Sequence, residues 1–269
     1  MNYVKQNDTI LNKWEISNRQ HGEVNFAADG ILNKGKLLSF DWGTYREESG
    51  TENDLWANSP LRILFLTKDQ NAGGGESWDS RAVTGRMRLD TDTIPSLFYR
   101  RMMYLLYGLV NTNCQSMCDY TFSNADAIHL FDNYPLAHVN VKKEAGGSSV
   151  SNDLLRFYLE RDREFIREQI LNLDADLIVC CGYSDQIEES GNLLLNFLNN
   201  NGYSFKQFSS NGWIYYDASQ NKVAINTYHL SAPCIWSKIG KSFENIFTEI
   251  MADYQAFLCT YPQFLKKSL

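Results

Sequence analysis

The sequence predicts an α/β protein, a three-layer sandwich whose central, mainly parallel sheet carries helices on both faces. Three observations lead there. Residues 63–67 (Ile-Leu-Phe-Leu-Thr) and 177–181 (Leu-Ile-Val-Cys-Cys) are apolar or β-branched without a polar break, as strands read when both faces are covered. Segments with apolar residues at helical spacing lie between and beyond such runs. The stretch 151–182 runs from an amphipathic helix straight into a buried strand, the unit from which crossover-connected sheets are built.

The elements follow in order. A short helix is expected near residues 10–16, an edge strand over 36–42 and a turn-rich segment over 43–60. The buried strand 63–67 stops at Lys68-Asp69-Gln70-Asn71, three glycines follow at 73–75, and 76–95 reads as a long loop ending at Pro95. Residues 96–110 form a helix on Phe98, Met102, Leu105, Leu106 and Leu109. A short strand over 137–141 ends in Lys142-Lys143, and one long helix spans 151–173. The strand 176–182 comes next, then a helix over 193–198, neighbouring strands at 213–217 and 222–228, and a closing helix over 242–258.

With 269 residues, 43% hydrophobic and 21% charged, the chain can bury one sizeable core. No linker, repeat or low-complexity tract divides it, so a single domain over 1–269 is expected, residues 1–60 packing on it as an N-terminal extension. No run approaches the roughly 18 apolar residues of a membrane span, and the first residues lack the apolar stretch of a signal peptide. A cytoplasmic protein without a membrane partner is the expectation, and six cysteines in so long a chain fit a reducing compartment better than a disulfide framework. A net charge of −7 argues against strong non-specific binding to a phosphate backbone. Arg100-Arg101, Lys142-Lys143, and Lys238 with Lys241 leave a local basic groove open; solvated surface charge is the plainer reading of each. Nothing in the sequence indicates an oligomeric state.

Three polar residues sit at strand ends: Asp69 after the first, Asn140 within Val139-Asn-Val-Lys-Lys143, and His229 after Ala224-Ile-Asn-Thr-Tyr228. Parallel strands bring their carboxyl ends to one edge, where ligands of α/β proteins bind, so the three are expected to converge. The glycines after Asp69 would let backbone N–H groups approach a ligand. A solvated aspartate and a hydrogen-bonded structural histidine are the bland alternatives.

These stretches resemble the uracil-DNA glycosylase superfamily. Leu66-Thr-Lys-Asp-Gln-Asn71 is similar to the loop whose acidic or amide residue positions the attacking water, His229-Leu-Ser231 to the family's His-Pro-Ser motif, and Val139-Asn-Val-Lys-Lys143 to the strand whose Asn reads the base edge. The resemblance spans roughly residues 60–258 and includes the helix–strand unit 151–182. It departs at Leu230, where the family has Pro, and at Gln70, where Pro is common.

The resemblance implies hydrolysis of the N-glycosidic bond of a deaminated or damaged base in DNA, uracil first, from single-stranded or lesion-containing strands. Asp69 would stabilise the oxocarbenium-like sugar and orient water, and His229 would hydrogen-bond the departing base. Asn140 would pair with the base edge. Lys68, Asn71, Gly73, Gly74, Lys142 and Ser231 would contact substrate, and Trp78, Tyr134 or Phe98 would stack on the extracted base. Some members bind an iron–sulfur cluster, but Cys114-Gln-Ser-Met-Cys118 and Cys180-Cys181 lack familiar ligand spacing, so neither a cluster nor a metal is expected as cofactor. A non-catalytic nucleic-acid or nucleotide-binding relative is the alternative, and an unrelated hydrolase using Cys181 or Ser231 is a third.

Overall fold

The computed structural model describes residues 1–40, 43–69, 77–144, 146, 150–184, 191–231 and 240–265. Its helices are α1 (Tyr3–Gln20), α2 (Glu52–Ala57), α3 (Leu97–Asn111), α4 (Asn124–Asn133), α5 (Asn152–Arg161), α6 (Arg163–Leu173), α7 (Leu193–Asn200) and α8 (Phe243–Thr260). Its strands are β1 (Ala27–Ala28), β2 (Gly30–Ile31), β3 (Leu37–Phe40), β4 (Gly43–Arg46), β5 (Ile63–Thr67), β6 (Trp78–Asp79), β7 (Leu136–Asn140), β8 (Leu177–Ser184), β9 (Gly191–Asn192), β10 (Lys206–Gln207), β11 (Ile214–Asp217) and β12 (Lys222–Tyr228).

The principal sheet has the order β10-β11-β12-β8-β5-β7-β2, with β9 paired to β8. β12, β8, β5 and β7 pair in parallel, whereas β2, β9, β10 and β11 attach by antiparallel pairings. The expected mainly parallel sheet is thus a mixed one with a parallel centre. The antiparallel margin has a local cause. Between β11 and β12 the chain reverses in a tight turn at Asn221, whose φ of 53° is a left-handed conformation that asparagine tolerates.

Alternation along the central strands divides the core in two. Ile63, Phe65, Leu136, Val179, Cys181 and Ile225 pack with α3, α4 and α8, while Leu64, Leu66, Val139, Ile178, Cys180 and Ala224 pack with α1, α5, α6 and α7. Cys180 and Cys181 therefore face opposite sides. From β5 the chain crosses to β7 on one side, and β8 returns to the other side of β5. That reversal creates a switch point at the carboxyl end of β5, where open α/β sheets keep their ligand crevice.

Some elements differ from expectation. The long helix over 151–173 is two, because Asp162 leaves the helical region (φ −101°, ψ 14°), capping α5 and starting α6. Its buried carboxylate meets Arg161 at 2.6 Å, which fixes the break. The strand near 36–42 pairs with β4 in a separate hairpin instead of edging the main sheet. The N-terminal segment joins the main sheet through β2, and α1 packs on α6. The segment 43–60 holds α2, whose buried Trp56 donates from Nε1 to the Leu173 carbonyl at 2.9 Å. Cys114 and Cys259 form a disulfide, contrary to the free cysteines expected; their positions 145 residues apart carried no sequence signal for the pairing. Among the described residues, no helix is long and apolar enough to cross a membrane.

Candidate functional site

The ladder between β5 and β7 continues past both strands. Val141 donates its N–H to the Thr67 carbonyl at 3.1 Å and Lys142 to that of Lys68 at 3.0 Å, so Lys68-Asp69 and Lys142-Lys143 leave the sheet side by side. Strand alternation puts Thr67, His138 and Asn140 on the α3 side. Three polar residues there, buried in succession, need each other as partners. The Thr67 hydroxyl donates to Asn140 Oδ1 at 2.6 Å, and with its only proton so used, His138 Nε2 at 2.8 Å is the donor to Thr67 Oγ1. Burial, reinforced by Lys143 and His229, pulls the His138 pKa down to about 4, so that ring is neutral.

Phe98, in the first turn of α3, lies between two histidines, its ring centroid 5.5 Å from that of His138 and 5.6 Å from that of His229. His229 follows β12 directly. Its Nδ1 accepts from the Ser231 hydroxyl at 2.9 Å and from the Ser231 N–H at 3.4 Å, which leaves the ring proton on Nε2. Burial, with the Lys68 charge beside it, lowers the His229 pKa to about 4. The result is a neutral imidazole of fixed tautomer with a donor nitrogen. Leu230 stands where the resembled motif has Pro, and its turn is held differently: Leu230 is buried, and its carbonyl accepts from Arg101 Nη1 at 2.7 Å.

Asp69 is half-buried one residue past Lys68. Burial pushes its carboxyl above the ordinary value, and the opposing charges of Lys142 and Lys68 do not cancel that effect. Lys68 acts electrostatically on both Asp69, at the end of β5, and His229, at the end of β12. Gly146 closes over it. A Cβ there would sit 2.9 Å from Lys142 Nζ and 3.3 Å from Asp69 Oδ2, an approach that suits a residue without a side chain. Lys142 itself is buried, donates to the Glu144 carbonyl and lies 5.2 Å from the Tyr158 ring centre.

Of the residues expected at the site, Lys68, Asp69, Asn140, Lys142, His229 and Ser231 stand at the carboxyl edge of the parallel strands. Asn71, Gly73 and Gly74 lie outside the described residues. Tyr134 does not belong here: its hydroxyl donates to the Leu61 carbonyl at 2.5 Å, ahead of β5, at the opposite edge. Six residues of extended chain separate it from Asn140, on the order of 20 Å, so closeness in sequence misleads along a strand. Trp78 lies beside this edge through its backbone, because its partner Ala27 donates to the Lys143 carbonyl at 2.8 Å. The Trp78 side chain lines a cleft with Phe40 and Tyr45 of the separate hairpin, and Phe98 is the ring that packs against His229.

Beneath the edge lie Asp29, which escaped the sequence reading, and Lys143, part of a basic cluster whose plainer sequence reading is solvated surface charge. Asp29 and Lys143 are fully buried and paired at 2.5 Å. Asp29 Oδ2 accepts the Asn140 N–H at 2.8 Å, and Lys143 Nζ donates to the Asn140 carbonyl at 2.7 Å, so the pair grips the Asn140 backbone from both sides. Gln169 supports Asp29 at 2.9 Å, and the Trp14 ring centre lies 4.8 Å from the Lys143 ammonium. His138 was missed as well, although polar residues at 138 and 140 on an otherwise apolar strand are a visible alternation.

The arrangement offers a carboxylate made more basic by burial, a neutral imidazole donor, an aromatic face and two ammonium groups. Such a set can stabilise a cationic centre and a departing anion together. The Cys181 thiol, fully buried and pushed well above its ordinary pKa, is unsuited to nucleophilic attack. Among the described residues, no group of three or more His, Cys, Asp or Glu is placed to hold a metal ion. Compared with protein-family models, with curated proteins and with solved structures, the chain matches none of them.

Proposed function

We propose that this chain is a monofunctional DNA glycosylase of the uracil-DNA glycosylase kind, a three-layer α/β domain that hydrolyses the N-glycosidic bond of a deaminated or damaged base, uracil first. One observation carries the reading: Asp69 and the neutral, Ser231-oriented His229 each follow a parallel strand at the same edge of the sheet, each within the electrostatic reach of Lys68, with the Phe98 ring beside His229.

The chemistry follows from the charges. As the bond to the base lengthens, the sugar gains positive charge and the base oxygen negative charge. The Asp69 carboxylate stabilises the sugar and orients the attacking water, accepting its proton. His229 donates from Nε2 to the base oxygen without first needing to lose or gain a proton. Lys68 and Lys142 favour the ionised form of Asp69 and partly offset the effect of burial. A cytoplasmic location belongs to this reading, and there the Cys114–Cys259 bond would be reduced.

The test is release of uracil from single-stranded or mismatched oligonucleotides, where extracting the base costs least. Asp69→Asn and His229→Ala should each slow release on the order of a hundredfold, the scale of one lost transition-state contact of about 3 kcal/mol, with thermal unfolding unchanged. The rate of the wild type should fall as acid protonates Asp69, above the usual carboxylate range, with no step from His229 above about pH 4. Activity surviving both substitutions would refute the assignment.

A second reading has its own support. Asn140 is buried and its carboxamide oxygen is taken by Thr67, which favours a non-catalytic nucleic-acid or nucleotide-binding relative. Oligonucleotide binding without release from any lesion substrate would decide for it.

A further inference from the structure

A second cleft of about 400 Å³ opens at the same edge of the sheet, lined by Tyr183, Trp213, Tyr215 and Tyr228 with the amides of Gln207 and Asn211. Tyr228 is the residue before His229, and Tyr183 ends β8. Tyr183, Trp213 and Tyr228 pack on the α3–α4–α8 side, as Phe98 does, while Tyr215 packs on the other, so the cleft shares the candidate site's edge and part of its face. β12 is two strands from β5, about 10 Å away.

We propose that this cleft holds the unpaired base of a nucleotide neighbouring the one at the Asp69–His229 site. The inference rests on the glycosylase or nucleic-acid-binding reading and names its substrate as a single strand gripped by two bases. The rings form a corner: Tyr183 stands at 90° to Tyr228 with centroids 5.0 Å apart, and Trp213 is tilted 59° to Tyr228 at 6.3 Å. The corner is held rigidly. Trp213 Nε1 donates to Glu249 at 3.1 Å, and Asn226 donates to the Gly212 carbonyl at 3.1 Å. Trp213 and Tyr228 are buried and back the corner, so the part-exposed Tyr183 and Tyr215 carry the open ring surface. Ring faces framed by amides suit a nucleobase, which has a π-face and a polar edge.

Charge points the same way. The net charge of −7 denies this chain a general attraction for phosphate. Lys241, on the cleft rim, is already paired with Glu249 at 2.6 Å. Affinity for a strand must therefore come largely from stacking, which needs more than one ring platform and an unstacked strand.

The experiment compares wild-type binding of two short single-stranded DNAs with a central uracil, one with normal flanking bases and one with abasic spacers on both sides. Loss of the flanking bases should weaken binding about tenfold, near the low end of one base–ring stack. Tyr183→Ala and, as a second variant, Tyr215→Ala should bind both DNAs at the abasic-flank level. Equal wild-type affinity for the two DNAs, or equal weakening of both by a folded variant, overturns the inference. Uracil release is scored on the same DNAs. Release without a flank effect refutes this cleft and leaves the glycosylase standing, whereas a flank effect without release keeps the cleft and removes the glycosylase.

Discussion

Replacing Lys143 by methionine tests whether the buried ion pair holds the end of β7. Both side chains have 0% exposure, and Nζ lies 2.5 Å from Asp29 Oδ1. Burial lowers the Lys143 pKa while Asp29 opposes that shift, so the cation persists only because its partner is in place. Methionine preserves the length and the apolar contact with Trp14 but removes the charge and the bond to the Asn140 carbonyl. Asp29 would keep the Asn140 N–H at 2.8 Å and Gln169 at 2.9 Å as donors, yet lose its counter-charge. Breaking a buried pair from one side costs on the order of 3–5 kcal/mol. At about 2–4 °C per kcal/mol, the melting temperature should fall by about 6–20 °C. Circular dichroism measures the melt, and Trp14 emission reports the change beside its ring. Adding Asp29→Asn to Lys143→Met should recover most of the loss, because no unpaired buried charge then remains. A single-variant loss below about 1 kcal/mol, as for an exposed pair, or a double variant no better than the sum of the singles would refute the argument.

Two further outcomes are expected. His138 has its folded pKa lowered to about 4 from an ordinary 6.5, so between those values the unfolded chain binds the extra proton; its stabilisation is complete above pH 6.5 and is lost as pH falls to 4. Urea unfolding of His138→Phe should therefore lose about 3 kcal/mol less than wild type over that window, and equal losses would mean the ring is not held neutral. Gly146→Ala would bring a methyl within 2.9 Å of Lys142 Nζ and 3.3 Å of Asp69 Oδ2, ends of side chains that can move. The melting temperature should shift little while uracil release drops on the order of tenfold, about 1.4 kcal/mol; unchanged release would separate Gly146 from the site.

The parts of the fold legible in the sequence are those whose pattern is local. β5, β8 and β12 are covered on both faces and read as unbroken apolar runs, and α3 and α8 carry helical spacing over several turns. The strands β1, β2, β6, β9 and β10 have two residues each, too few for any period to appear. α4 was missed although Ser123 and Asp126 make a capping box at its start. Asp69 and His229 stood out because each follows a clear strand, whereas Asp29, in Ala28-Asp29-Gly30, reads as a turn and meets its partner 114 residues later.

The strands themselves hold the remaining clue. A strand covered by helices should be apolar on both faces; β5 obeys that rule until its last residue and β7 until its middle. There Thr67, His138 and Asn140, all on the α3 side, replace hydrophobic residues with a mutually hydrogen-bonded set. Buried polar groups weaken a core unless each is paired, so a fold that needed only stability would put aliphatic residues in these places. The set instead lies one residue from Lys68 and against Phe98, the ring beside His229. Buried polar residues also occur on the other face, where Asn226 pairs with Asn192, whereas the Thr67–His138–Asn140 set adjoins the residues of the proposed site. The alternation of 136, 138 and 140 was open to reading in the sequence, but its meaning depended on β5 lying alongside, a pairing that only the fold supplies.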